Sequence, residues 1–261
     1  MLIVIPQLLD REQARALGRT IAAAEWVDGN VTSGAGAALA KRNRQLPEAG
    51  EAAAHARMVV QEGLARSQLF LSAALPKRIF PPLFNRYGVG EGFGDHVDNA
   101  IRLLPDGTQM RTDLSATLFL NDPADYDGGE LSIEGDFGRV AYKLEAGDML
   151  LYPSTSLHHV TEVTRGERIA SFFWLESLVR DGGAREACGE LCHQGRVVSD
   201  GGARENALQG RAWRDALLQS TQQHCDLGAL RPSIHMRLVN SEPSPRRCCR
   251  AVARRWCCRG R

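Results

Sequence analysis

The chain has 261 residues, of which 43% are apolar and 24% charged, and its formal net charge is +1. A chain of this length buries a sizeable core in one large domain or two small ones. The near-neutral charge gives no indication of nucleic-acid or membrane-surface binding, and no run approaches the roughly 18 apolar residues of a membrane span. The start of the chain lacks the basic region and cleavage site of a signal peptide, so a cytoplasmic protein is expected.

Positive charge and cysteine are concentrated toward the end of the chain. Residues 179–261 contain 15 Arg, no Lys and 8 acidic residues, and all seven cysteines follow residue 187. Residues 1–187 contain no cysteine, so this part of the chain needs no oxidising compartment to form disulfides. The cysteines that follow lack the paired C-x2-C spacing of a zinc site. We predict that 179–261 is an atypical tail, and we hypothesise that the sequence is out of frame from about residue 182.

Residues 1–77 are predicted to form a helical segment that packs on the domain that follows. Asp10 precedes an amphipathic stretch, and Gln13 completes the pattern of a capping box. A second helix is predicted over about residues 47–70. The glycine-rich stretch between these helices, 28–46, is predicted to be a loop.

From about Arg78 the sequence changes to short runs of β-branched and aromatic residues bounded by Gly, Pro, Asp or Asn. They include "LSATLFLND", "GGELSIEG" and "RIASFFWLE", and no helical pattern separates them. Regularly spaced strands without intervening helices indicate a β-sandwich or barrel such as a jelly roll. The predicted fold is therefore mainly β with flanking helices, with the β domain over residues 78–178.

A histidine and an aspartate, His96 and Asp98, stand two residues apart in "GFGDHVDNAIR". On a strand, two such residues project from the same face. The third ligand is expected 60 residues after Asp98, where His158 or His159 follows a predicted strand. Two histidines and one carboxylate leave metal positions open for cosubstrate and dioxygen, the arrangement of non-haem Fe(II) oxygenases. The H-E-x-x-H pair of a zinc hydrolase is absent from the sequence.

Arg168 follows His158 by ten residues, after a turn at "TRGE". On the next strand of a small barrel, its guanidinium would point into the pocket beside the metal and could bind a carboxylate through two hydrogen bonds. Open metal positions and a carboxylate clamp together suit 2-oxoglutarate, the expected cosubstrate. Tyr87 is a candidate to contact the cosubstrate and equally a candidate core residue. Asn99 and Arg102 are candidates to face the substrate.

Three stretches together resemble the Fe(II)/2-oxoglutarate dioxygenases, and more narrowly the bacterial PKHD-type hydroxylases, relatives of the prolyl 4-hydroxylase catalytic domain. They are "YGVGEGFGDHVDNAIR", "LSATLFLNDPADYDGGELSI" and "AGDMLLYPSTSLHHVTEVTRGERIASFFWLES". The resemblance covers about residues 1–181. It implies a double-stranded β-helix core, iron held by His96, Asp98 and His158, and 2-oxoglutarate bound by Arg168.

In the family pattern the histidine ligand directly follows "SL", which selects His158 over His159. The resemblance also implies L-ascorbate as a reductant. It implies that decarboxylation of 2-oxoglutarate to succinate and CO2 is coupled to hydroxylation of a substrate, which is left open between peptidyl and small-molecule classes. The alternative is a cupin-like module that binds metal or sugar without catalysis. Neither nucleic acid nor membrane is expected as a partner.

Overall fold

Two antiparallel sheets form the frame of the molecule. The computed structural model describes residues 2–32, 40–135 and 138–186, and the predictions for the tail beyond residue 186 lie outside them. Within these ranges the strands, in chain order, are β1 (Ile3–Ile5), β2 (Val27–Asp28), β3 (Lys41–Arg42), β4 (Arg44–Gln45), β5 (Pro76–Ile79), β6 (Leu83–Tyr87), β7 (Gly92–His96), β8 (Ile101–Leu103), β9 (Gln109–Arg111), β10 (Leu114–Phe119), β11 (Leu131–Gly135), β12 (Gly138–Tyr142), β13 (Met149–Pro153), β14 (His158–Val160) and β15 (Arg168–Ser177).

The order of the strands defines the fold class. The larger sheet runs β1-β13-β10-β15-β6-β4-β2, with β5 paired to β15, and the smaller sheet runs β12-β11-β14-β7-β3. Within the predicted β domain, β6, β10, β13 and β15 lie in one sheet and β7, β11, β12 and β14 in the other. This is the arrangement of a double-stranded β-helix, or jelly roll, and it confirms the predicted fold class. A separate hairpin pairs β8 with β9.

Three helices precede most of the strands. They are α1 (Arg11–Ala22), α2 (Glu51–Arg66) and α3 (Gln68–Ala74), with 3-10 turns at Gly29–Thr32 and Pro123–Asp125. Residues 182–186, after the last strand, are also helical. As predicted, Asp10 caps α1 by accepting a hydrogen bond from the N–H of Gln13 at 2.8 Å. The second predicted helix begins later, at Glu51, and is divided at Ser67. The Ser67 hydroxyl accepts from the N–H of Phe70 and so starts α3 as a new helix.

None of the helices in the described part of the chain is both long enough and apolar enough to cross a membrane.

The N-terminal segment contributes strands that the sequence did not indicate. β1 pairs with β13, β3 with β7, and β4 with β6, so residues before 78 extend both sheets. The predicted loop over 28–46 is therefore wrong where β2, β3 and β4 form. Strands of two residues contain too little alternation to be recognised, and their partners are distant in the chain.

The helices cover one face of the larger sheet. Their buried side chains pack in the largest hydrophobic cluster against alternate residues of the central strands, such as Leu114 on β10 and Phe173 on β15. The residues in between, such as Ser115 and Arg168, project from the other face, toward the smaller sheet. In that space Tyr87 and Tyr152 of the larger sheet pack with Leu131 and Val160 of the smaller one, and all four also line an open cavity.

Candidate metal centre

The cavity between the sheets contains the three predicted metal ligands. His96 is the last residue of β7 and His158 the first of β14, and the two are paired directly across these strands. The ligand atoms of His96, Asp98 and His158 all lie within 4.8 Å of one another. Nε2 of His158 is 3.8 Å from Oδ2 of Asp98. Residues separated by 60 positions in the sequence thus meet at one point.

Asp98 reaches this point by a route that differs from the prediction. The strand β7 ends at His96, and the chain leaves the sheet before Asp98. The expectation that both residues lie on one strand is therefore wrong, although their side chains meet. The segment that carries Asp98 leads on to the β8–β9 hairpin, so strand geometry alone does not position the carboxylate.

Backbone carbonyl groups orient both imidazoles. Nδ1 of His96 lies 2.8 Å from the carbonyl oxygen of Gly94, and Nδ1 of His158 lies 2.9 Å from that of Ser156. Because a carbonyl oxygen only accepts hydrogen bonds, each Nδ1 carries a proton, and the lone pair of a neutral ring is then on Nε2. Nε2 is therefore the nitrogen of each histidine that could bind a metal.

Burial keeps His96 neutral. Burial, followed by repulsion from the nearby His158, lowers the pKa of His96 to about 4, since two protonated rings would repel each other. The ring centroids of the two histidines are 4.2 Å apart. Phe93 stacks on His96 with centroids 3.6 Å apart and 17° between the planes, so one face of the imidazole is covered. At neutral pH the imidazole is available as a ligand.

The two adjacent histidines face opposite sides of β14. His158 is buried and lines the cavity. Nδ1 of His159 lies 2.8 Å from Oδ1 of Asp95 on the outer side. Successive residues of a strand alternate between its faces, which accounts for the difference. His158 is therefore the histidine that lies beside Asp98.

Arg168 begins β15 and lines the same cavity. Its side chain is only 1% exposed, and its guanidinium carbon is 5.3 Å from the ring centroid of Tyr87 and 5.2 Å from that of Phe119. Its Nε is buried without a hydrogen-bond partner, and no acidic side chain among the described residues pairs with it. Gly129, with φ +68°, packs so closely that an added Cβ would lie 3.1 Å from Cδ of Arg168. The guanidinium is thus a fixed, buried charge without a counter-ion.

Tyr87 lies directly opposite Arg168 in the register of β6 and β15. It belongs to the inter-sheet core cluster and also lines the cavity, so both interpretations made from the sequence describe its position. Burial raises the pKa of Tyr87, which keeps its hydroxyl protonated and able to donate a hydrogen bond. Asn99 and Arg102 also line the cavity.

Sequence reasoning missed several polar residues of the site. Ser115 on β10, Tyr152 on β13 and Lys41 on β3 all line the cavity, and the ring centroid of Tyr152 is 5.2 Å from that of His158. The alternation in "LSATLF" contained a usable signal, because Ser115 and Thr117 share one face of the strand. Lys41 stands in a glycine-rich stretch and had no comparable signal.

A double-stranded β-helix with a His-x-Asp and a distant histidine in its cavity is the architecture of an Fe(II)/2-oxoglutarate oxygenase. The sequence profile of the 2OG-Fe(II) oxygenase superfamily matches residues 82–176, which include all three candidate ligands and Arg168.

Full-length relatives define the family more narrowly. A PKHD-type hydroxylase of Burkholderia thailandensis is 54% identical over 228 residues, covering 83% of this chain and 100% of that protein. Another, of Methylobacillus flagellatus, is 58% identical over 187 residues, covering 71% and 82%. The chain belongs to the PKHD-type hydroxylases, and it is an Fe(II)- and 2-oxoglutarate-dependent hydroxylase. Among solved structures, a prolyl-4-hydroxylase of Pseudomonas putida is similar with 22% identity and a TM-score of 0.46, over 68% of this chain and 93% of that one.

Proposed function

We propose that His96, Asp98 and His158 bind the Fe(II) ion and that Arg168 binds the far carboxylate of 2-oxoglutarate. One observation carries the assignment: a buried guanidinium without an acidic partner shares a cavity with a cluster of two histidines and one carboxylate. A buried unpaired charge is costly in free energy. A ligand carboxylate is the partner that would remove this cost.

The donor set fits iron. Imidazole nitrogen and carboxylate oxygen are ligands that suit Fe(II), and three protein ligands leave positions for a chelating cosubstrate. The carbonyl oxygens of Gly94 and Ser156 hold the two rings in the required tautomer. When bound, the iron and 2-oxoglutarate supply the chemistry that couples decarboxylation to succinate and CO2 with hydroxylation of a substrate C–H bond by dioxygen.

The surroundings of Arg168 fit the carboxylate end of the cosubstrate. A guanidinium binds a carboxylate through two parallel hydrogen bonds, and the rings of Tyr87 and Phe119 restrict its position. Tyr87 is protonated and lies on the strand next to Arg168. We assign to Tyr87 a secondary contact with the cosubstrate.

Further parts of the proposal rest on the family resemblance and on the sequence. L-ascorbate is the reductant that maintains iron as Fe(II), and the enzyme acts in the cytoplasm. The catalytic β domain spans residues 78–178, between the N-terminal helical segment 1–77 and the tail 179–261. Omission of ascorbate is expected to shorten the productive lifetime of the enzyme, which succinate release measured over time would detect.

The assignment is tested by reconstituting the full chain with Fe(II) and 2-oxoglutarate without oxygen. A chelated 2-oxo acid is expected to produce visible charge-transfer absorbance, and subsequent admission of dioxygen to release succinate. His96→Ala and Asp98→Ala are expected to abolish both signals. If either variant turns over 2-oxoglutarate fully with iron bound, the ligand assignment is wrong. Metal binding without any 2-oxoglutarate binding would instead indicate the cupin-like alternative.

A further inference from the structure

Arg102 holds a second guanidinium against the cavity wall. It is the central residue of β8, and its guanidinium carbon lies 3.7 Å from the ring centroid of Trp174 and 5.1 Å from that of Phe80. Its strand neighbours Ile101 and Leu103 are exposed on the outer side of the hairpin. A guanidinium held over an indole ring is restrained in position while its N–H groups stay available.

The donors of Arg102 have no partner of their own. Within the described ranges the guanidinium forms neither a hydrogen bond nor a close ion pair. It stacks on Trp174 and Phe80, and Asp98 and Glu48 attract it at longer range. This differs from Arg78 and Arg111, which both pair with the buried carboxylate of Glu176. Arg102 is therefore a preorganised cation whose hydrogen-bonding edge is unused.

The charge of the cavity favours an anion beyond the cosubstrate. Three cationic side chains line it, Lys41, Arg102 and Arg168, against one carboxylate, Asp98. Fe(II) adds two positive charges and 2-oxoglutarate removes two, so the loaded cavity keeps the net charge of +2 that its side chains provide. Lys41 is itself held in place, because its Nζ donates to the carbonyl oxygen of Gly29 at 2.6 Å. An excess of fixed positive charge in a recessed site attracts anionic ligands.

We propose that the prime substrate carries a carboxylate group, which Arg102 binds through two hydrogen bonds while the C–H to be oxidised lies at the metal. The proposal rests on the function assigned above. A single planar guanidinium matches a carboxylate in geometry as well as charge. The carboxylate belongs either to a small organic acid or to an acidic residue of a peptide, and these two sources are separated by the test.

The test uses the full chain loaded with Fe(II) and 2-oxoglutarate without oxygen, so that ligands bind but do not react. Matched probes are titrated while the charge-transfer absorbance is followed. One set contains N-acetyl amino acids and their primary amides, and the other contains pentapeptides with a central Glu or Gln. In at least one set the carboxylate probe is expected to bind at least tenfold more tightly than its neutral partner.

Arg102→Ala is expected to abolish this tenfold preference, and Arg102→Lys to retain only part of it. Arg19→Ala is the matched control, because Arg19 is an exposed arginine on α1 paired with Glu12. It is expected to keep the full preference.

Several outcomes would overturn the proposal. They are the lack of a carboxylate preference in both sets, an unchanged preference in Arg102→Ala, or an equal loss in Arg19→Ala. The loading absorbance of Arg102→Ala is recorded before any probe is added. Its disappearance would place Arg102 in the cosubstrate site and also overturn the proposal. Failure of the underlying function is distinct, since the unsubstituted enzyme would then show no loading absorbance at all.

Discussion

The hydroxyl of Ser115 donates a hydrogen bond to Oδ2 of Asp98 at 2.6 Å. Oγ of Ser115 is also 2.8 Å from Oγ of Ser154, and both serines are buried. Since the one hydroxyl proton of Ser115 points to the carboxylate, Ser154 must be the donor between the two serines. A chain of two hydroxyl groups therefore orients the carboxylate that lies off the end of β7.

Ser115→Ala is expected to weaken Fe(II) affinity by about tenfold, because groups that orient a metal ligand typically contribute between about tenfold and a hundredfold. Ser154→Ala is expected to have a smaller effect, since it acts through Ser115. Equilibrium titration with Fe(II) measures both. Ser132→Ala, which removes a buried hydroxyl on β11, is the control. Equal affinity in Ser115→Ala and Ser132→Ala would contradict the role of Ser115.

His158→Ala is expected to lose bound iron, whereas His159→Ala is expected to retain one iron per chain. The two residues are adjacent, but only His158 lies beside Asp98, and His159 contacts Asp95 on the outer side. Elemental analysis after anaerobic loading and dialysis checks this outcome. Loss of iron in His159→Ala and its retention in His158→Ala would show instead that His159 is the ligand.

Arg168→Met is expected to have two opposite effects. Loss of the carboxylate partner should raise the dissociation constant of 2-oxoglutarate by about thirtyfold or more, since truncating one side of a buried charge pair costs about 2–5 kcal/mol. In the absence of ligands, removing a buried unpaired charge should raise the free energy of unfolding by about 1 kcal/mol or more. Binding titration and urea unfolding measure the two effects.

Arg165→Ala is the control for this experiment, because Arg165 lies in the preceding turn and pairs with Asp127 at the surface. It is expected to leave 2-oxoglutarate affinity unchanged. A purely structural Arg168 would instead give an Arg168→Met variant that is less stable without ligand and binds 2-oxoglutarate normally.

The stability of the metal-free protein is expected to rise with pH between about 8 and 10.5 because of Lys41. Burial, followed by repulsion from Arg102, lowers the pKa of Lys41 from 10.5 to about 8. Between these values the unfolded chain binds the proton that the folded chain has lost, so stability increases with pH across the window. Lys41→Met is expected to lack up to about 3 kcal/mol of this increase.

Urea unfolding at several pH values provides the measurement for Lys41. Lys77→Met removes an exposed lysine outside the cavity and serves as the control. If the free energy of unfolding changes with pH in the same way in the unsubstituted protein and in Lys41→Met, Lys41 does not cause the pH dependence.

The fold class and the candidate ligands could be predicted from the sequence because both predictions depend on short local patterns. Alternating strand residues bounded by turn residues predicted the jelly roll. The sequence segments around His96, Asp98 and His158 resembled those of the PKHD-type hydroxylases. The prediction of a loop over 28–46 was wrong, because the strands there depend on pairing with distant segments. The short strands β3 and β4 gain their hydrogen bonds from β7 and β6, and no pattern within two residues specifies such a partner.

By itself, the sequence determined the class of fold, the three candidate ligands and the candidate clamp at Arg168. Only the tertiary structure decided what surrounds them: the Ser154–Ser115–Asp98 hydrogen bonds, the stacking of Arg102 on Trp174, and the place of Lys41 in the cavity wall. The physical reason is distance along the chain. Ligand identity is encoded in residue type and local spacing, whereas the orientation and charge of a site are set by side chains that sheet pairing brings together from remote positions.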